Sequence, residues 1–243
     1  MSIIAYPYTT KYKTFLIEGS YCEADEDVIA QTLDDVLACY DEPHRAYHTR
    51  EHLEEMFSLL DEIIELYGLS ERETTIAALS IFYHDIVYQT NSVDVISKNE
   101  QRSAQIADGE MRVKLAVNDR AICDAVETII IATKDHSVDP EQNPVGALVI
   151  DIDMAILGSD KDRYEQYKGQ IRKEFSTFSD VMFYQARRDH FLYPSVRKPR
   201  LFLTDSMQDR FGDQAKENMF AEIAEVNRTL PRQALSQQGK RPI

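Results

Sequence analysis

Glycine and proline are scarce, at eight residues each in a chain of 243. That excludes collagen-like, low-complexity and repetitive all-β chains. Cysteine is scarcer still. Cys22, Cys39 and Cys123 are odd in number, lie far apart and form no Cys-x-x-Cys pair, so neither a disulfide framework nor a cysteine-based zinc site is expected. No apolar run approaches the roughly 18 residues needed to span a bilayer. The segment Met1 to Thr10 lacks the basic region, apolar stretch and small-residue cleavage site of a secretory signal. The expectation is a reduced, cytoplasmic, soluble protein. The glycine-rich phosphate loops Gly-x-Gly-x-x-Gly and Gly-x4-Gly-Lys-Ser/Thr are absent, and so are Gly-x-Ser-x-Gly and His-Glu-x-x-His. These absences argue against nucleotide-triphosphate motors, α/β-hydrolases and zincin proteases. Basic residues are short as well: 27 Lys and Arg stand against 42 Asp and Glu, for a net charge of −15. A surface so negative repels nucleic acid polymers and anionic membranes. A small anionic substrate then needs a bound cation or a local basic cluster to offset the field.

Helical periodicity is abundant. Ile29, Leu33, Val36, Leu37 and Tyr40 mark one amphipathic stripe, and Leu53, Met56, Phe57, Leu60, Ile63, Ile64 and Tyr67 mark a second. Glu71 to Tyr88 is strongly apolar and starts with Ser70 and Glu73 in capping-box register. Further helices are expected at Asn99 to Ala107, after Asn118, and from Val145 to Leu157. Others are expected at Asp160 to Phe175, Asp180 to Tyr193 and Gly212 to Leu230. The β-prone run Glu127-Thr-Ile-Ile-Ile-Ala sits inside a longer helical period and is read as helix. Gln89–Lys98, Ser137–Pro144 and Pro194–Thr204 are loop-like and too short to separate domains. The expectation is an all-α fold, one domain of roughly eight to ten helices over residues 1–230, with a polar, mobile tail at 231–243.

The chemistry-bearing residues fall on the apolar helices. His48 and His52 are spaced for one helix face, and the stripe from His52 runs on to Met56 and Leu60. His84 and Asp85 are adjacent in the most apolar segment, where an ionised aspartate is costly unless paired or bound to a cation. In Val149-Ile150-Asp151-Ile152-Asp153-Met154, Asp153 has apolar neighbours one turn away in both directions. It is therefore the better ligand candidate, and Asp151 suits a supporting or entrance role. Two histidines and two aspartates on inward faces suit a divalent metal: manganese, cobalt, nickel, magnesium, zinc or iron.

The order His52, His84-Asp85, Asp153 resembles the HD superfamily of metal-dependent phosphohydrolases, whose motif is a histidine, a His-Asp pair and a distal aspartate in a helical domain. Tyr47-His48-Thr49-Arg50-Glu51-His52 is similar to the Tyr-His-Asn-x-x-His element of cyclic-nucleotide phosphodiesterases, distant members of that superfamily. Thr49 stands in place of the asparagine, and Ile86-Val87-Tyr88 follows where those enzymes continue with Asp-His, so a cyclic nucleotide is not implied. A closer resemblance is to a bacterial family described as predicted metal-dependent HD-superfamily phosphohydrolases. It is carried by Glu42 to His48, His84 to Tyr88, Asn99-Glu100 with Ser103-Ala104, Ala132-Thr133 with His136, Asp151-Ile152-Asp153 with Ile156-Leu157-Gly158, and Tyr164, Tyr167, Ile171 and Arg172.

The resemblance implies a metal held by His52, His84, Asp85 and Asp153, with His48 as the proton donor. It implies hydrolysis of a small phosphorylated metabolite or nucleotide and leaves self-association open. Arg45 is a candidate phosphate contact, Glu100 a supporting residue, and His136 a second-metal ligand or phosphate contact. His44, in the Pro-containing turn before the metal helix, suits a capping role or a catalytic one. Two alternatives come from other classes: a metal-stabilised ligand-binding module without turnover, and a di-iron oxygenase that would use His136 as an extra ligand.

Overall fold

The computed structural model describes residues 5–230, and the described residues form an all-α fold with no strand. Chain contacts group into two compact units, Met1–Asp153 and Met154–Ile243. The expected mobile tail at 231–243 lies outside the described residues.

The first unit contains α1 (Pro7–Glu18), α2 (Glu26–Cys39), α3 (Arg50–Tyr67), α4 (Glu71–Tyr83), a single turn α5 (Val93–Ile96), α6 (Asn99–Val113), α7 (Arg120–Ala132) and nearly all of α8 (Pro144–Met154). Helix α4 is its centre. Every residue from Thr74 to Tyr83 is buried, as expected for a helix apolar or small on all sides, and α1, α2, α3, α6 and α7 pack around it. Its start is the expected capping box. The Ser70 hydroxyl accepts from the Glu73 N–H, and the Glu73 carboxylate accepts from the Ser70 N–H at 2.9 Å. Helix α3 buries His52, Leu53, Met56, Phe57, Leu60 and Ile63 on one face. It stops at Gly68, whose φ of 65° closes the last turn with a bond to the Ile64 carbonyl. The isoleucine run Ile129–Ile131 is helical, within α7.

Two boundaries differ from the periodicity in ways that shape the site. Helix α3 begins at Arg50 with Thr49 as its N-cap, the hydroxyl accepting from the Glu51 N–H. His48 therefore stands before the helix rather than on its stripe. Helix α4 ends at Tyr83 instead of running to Tyr88, because side chains take over the backbone groups beyond it. The Arg45 guanidinium donates to the carbonyls of Asp85 (2.8 Å) and Ile86 (3.1 Å), and the Ser103 hydroxyl accepts from the Val87 N–H (3.1 Å).

The second unit opens with a 3₁₀ turn, Ala155–Gly158, followed by α9 (Lys161–Glu174) and α10 (Asp180–Arg187). A π-helical turn (Arg188–Leu192), α11 (Tyr193–Arg197) and the long α12 (Asp205–Thr229) complete it. The 3₁₀ turn packs on α12 so closely that a Cβ at Gly158 would lie 2.6 Å from the Phe211 carbonyl oxygen. Asn218 secures the contact, donating to the carbonyls of Leu157 and Ser159, each at 2.9 Å. The core of this unit carries a buried polar cluster. The Glu222 carboxylate accepts from the Tyr164 hydroxyl (2.6 Å) and from Arg187 Nε (2.6 Å).

Candidate metal centre

Helices α3 and α8 and the C-terminal end of α4 bring His52, His84 and Asp153 together, with one ligand atom from each within 4.8 Å of the others. His52 Nε2 lies 3.3 Å from His84 Nε2 and 3.3 Å from Asp153 Oδ1; His84 Nε2 lies 3.9 Å from that same oxygen. Asp85 stands outside this mutually close group, but its Oδ2 is 3.2 Å from His84 Nε2. The orientation of His84 follows from its other nitrogen. Nδ1 donates to the Ile81 carbonyl at 2.9 Å, which turns Nε2 inward. Two imidazole nitrogens facing one another at hydrogen-bond distance share at most one proton. Two carboxylates beside them add acceptors without adding donors. Such a surplus of lone pairs in a buried pocket is the donor set that a divalent cation satisfies, so these residues fit the ion the motif implies.

Charge within the cluster is tightly coupled. Burial disfavours the charged form of every member. For His52 burial prevails, and its pKa falls below the ordinary histidine value despite the bond to Asp153. For His84 burial is outweighed by Asp85, through charge and hydrogen bond, and then by Asp153, so its pKa rises to about 9. Burial pushes the Asp85 carboxyl up, but His84 and then His48 hold it well below the usual carboxylate range. Asp153 is likewise held down against burial, by His136 and His52 and then by the charge on His84. The pocket is organised to keep two carboxylates ionised around a positive charge.

His48 lies beside this group. Its Nε2 is 3.7 Å from Asp85 Oδ2, its ring lies tilted by 30° against that of Tyr88 with centroids 4.0 Å apart, and its centroid is 5.6 Å from that of His52. Arg45 is not open to a ligand. Its side chain is 0% exposed and is spent on the Glu42 carboxylate and on the carbonyls of His48, Asp85 and Ile86. It is the strap that holds the turn of His48 against the turn of Asp85. His136 adopts a left-handed backbone (φ 47°) just past α7, and its Nε2 is 3.5 Å from Asp153 Oδ2. Asp151 is the more deeply buried of the two α8 aspartates, at 1% exposure; it is Asp153 that meets the histidines. Glu100, in the first turn of α6, has a buried Oε2 without a hydrogen-bond partner among the described residues.

Further side chains brace the turn that carries Asp85. The Tyr40 hydroxyl donates to the Phe82 carbonyl at 3.0 Å and accepts from the Asp85 N–H at 3.3 Å. His44 Nε2 reaches the Tyr88 carbonyl at 2.6 Å. The Asn99 carboxamide accepts from the Gln89 N–H (3.2 Å) and donates to the Gln89 carbonyl (3.0 Å). Asn99 and Ser103 do belong to the motif residues quoted for the family resemblance; their role as anchors of the chain after Asp85 is visible only in three dimensions. No helix among the described residues is long and apolar enough to cross a membrane. Compared with models of protein families, with curated proteins and with solved structures, the chain matches none.

Proposed function

We propose that this protein is a metal-dependent phosphohydrolase of the HD type, acting on a small phosphoester such as a nucleotide. The observation that carries this reading is the convergence of His52 Nε2, His84 Nε2 and Asp153 Oδ1, with the Asp85 carboxylate against His84. A divalent ion held there supplies positive charge for phosphoryl oxygens and acidifies a coordinated water. The chain's own residues supply the rest. Asp85, Asp153 and the two histidines hold the ion, and the Arg45 strap keeps Asp85 and His48 in register. His48, close to Asp85 but outside the group of His52, His84 and Asp153, protonates the leaving oxygen.

The test is metal analysis together with phosphate release. Purified protein supplied with manganese, cobalt, nickel or magnesium is expected to bind about one ion per chain and to release phosphate from a member of a phosphoester panel. His48→Ala should keep its metal and slow turnover by roughly 10²–10⁴-fold, less so for a nitrophenyl ester whose leaving group needs no proton. Inactivity across the panel with every metal would count against the reading. The proximity of His136 to Asp153 favours one rival, a two-metal oxygenase. Two irons per chain with oxygen consumption, and no phosphate release, would decide for it.

A further inference from the structure

We infer that Glu100 is the proton acceptor of this site: its Oε2 receives a hydrogen bond from the attacking water and takes the proton of that water as the new bond to phosphorus forms. The inference rests on the phosphohydrolase reading and extends it to a residue outside the metal-binding group. Glu100 Oε2 is the one side-chain oxygen or nitrogen among the described residues that is buried and has no hydrogen-bond partner. A buried carboxylate oxygen is rarely left unmatched unless a ligand or a water completes it. Glu100 sits on the turn of α6 that packs against the chain following Asp85: its neighbour Asn99 holds both backbone groups of Gln89, and Ser103, one turn on, accepts from the Val87 N–H. Lys134 is itself tethered, donating to the Ser97 carbonyl at 2.8 Å, and His136 touches Asp153. Burial first, and then the negative charge of Asp85, raise the Glu100 pKa against the opposing effects of its own backbone N–H, Lys134 and His136. That is the direction in which a carboxylate becomes a better base near neutral pH. The step balances. The water oxygen bonds to phosphorus, its proton passes to Glu100 Oε2, the bond from phosphorus to the leaving oxygen breaks, and His48 donates a proton to that oxygen.

The test compares wild type with Glu100→Gln, which keeps the shape and cannot take the proton. Both are loaded with cobalt(II) and followed in two ways: turnover of a phosphoester panel against pH, and the visible absorption of the bound cobalt against pH. The expected result is unchanged cobalt content and melting temperature, a fall in kcat of about 10²-fold, loss of the acidic limb of the rate profile, and a displaced midpoint in the absorption titration. Wild-type kcat with an unmoved midpoint in Glu100→Gln would overturn the inference and leave the phosphohydrolase reading standing. If wild type binds cobalt but turns over no phosphoester, that reading fails on its own and the absorption midpoint decides. A displaced midpoint keeps Glu100 in contact with the water, and an unmoved one removes it.

Discussion

The two units each bury a cluster of charged and polar side chains, and the two clusters are balanced in opposite ways. In the second unit Glu222 offers two carboxylate oxygens, and Tyr164 and Arg187 supply donors to both: Tyr164 at 2.6 Å, Arg187 Nε at 2.6 Å and Arg187 Nη2 at 3.2 Å. Charge and hydrogen bonds close among three residues, with the guanidinium also lying over the rings of Tyr167 and Phe191. In the first unit two imidazoles turn nitrogen toward nitrogen at 3.3 Å, with two carboxylates alongside. The arrangement in the second unit completes a core; that in the first is a donor set that could hold a cation. Burial of charge alone does not mark a functional site. The mismatch between donors and acceptors does.

The sharpest way to break the comparison is to remove an acceptor from the open cluster. Asp153→Asn is expected to lose metal by more than the roughly 10–100-fold that altering an outer partner costs, whereas Asp151→Asn should stay within that range. Metal content after dialysis decides, and the reverse pattern would place the ligand at Asp151. Next in size is a break in the closed cluster. Arg187→Ala strands the Glu222 carboxylate and should cost about 3–5 kcal/mol of stability, read as a lowered denaturant midpoint. A smaller loss for Arg187→Met together with Glu222→Gln would identify the uncompensated charge as the cause. The smallest effect is one of pH. His84 has its pKa raised to about 9 in the metal-free fold, so the stabilisation its proton gives is full below the ordinary histidine range and is lost as pH rises through 9. Metal must displace that proton. Affinity measured by competition with a chelator should therefore tighten about tenfold per pH unit up to near 9 and then level. A flat profile between neutrality and 9 would show that His84 holds no proton there.

The all-α fold was legible in the 3.6-residue stripes, including the isoleucine run that propensity alone would have placed in a strand. The approach of His52, His84 and Asp153 was legible because each sits on an apolar helix where it must find a partner. Less legible was the part that depends on chain ends. The periodicity puts His48 on the helix with His52, but Thr49 caps α3 and leaves His48 in the preceding turn. Apolar continuity carries α4 on to Tyr88, but Arg45 and Ser103, distant in sequence, offer the backbone better partners than another helical turn. Arg45 reads as a phosphate contact; its burial depends on three carbonyls that no local pattern announces. The closed cluster was hidden for the same reason. Tyr164, Arg187 and Glu222 each look like ordinary amphipathic-helix residues, and their match spans 58 residues of sequence.

The Asn99 carboxamide joins both backbone groups of Gln89 and so closes the intervening chain at its neck. None of the residues of α5, inside that loop, is buried. Closing a loop costs entropy that grows only with the logarithm of its length, about 0.6 kcal/mol for each doubling. Insertions and deletions between the neck residues are therefore cheap and leave the aspartate and histidine turns in place. The length of this loop is thus set apart energetically from the geometry of the centre beside it.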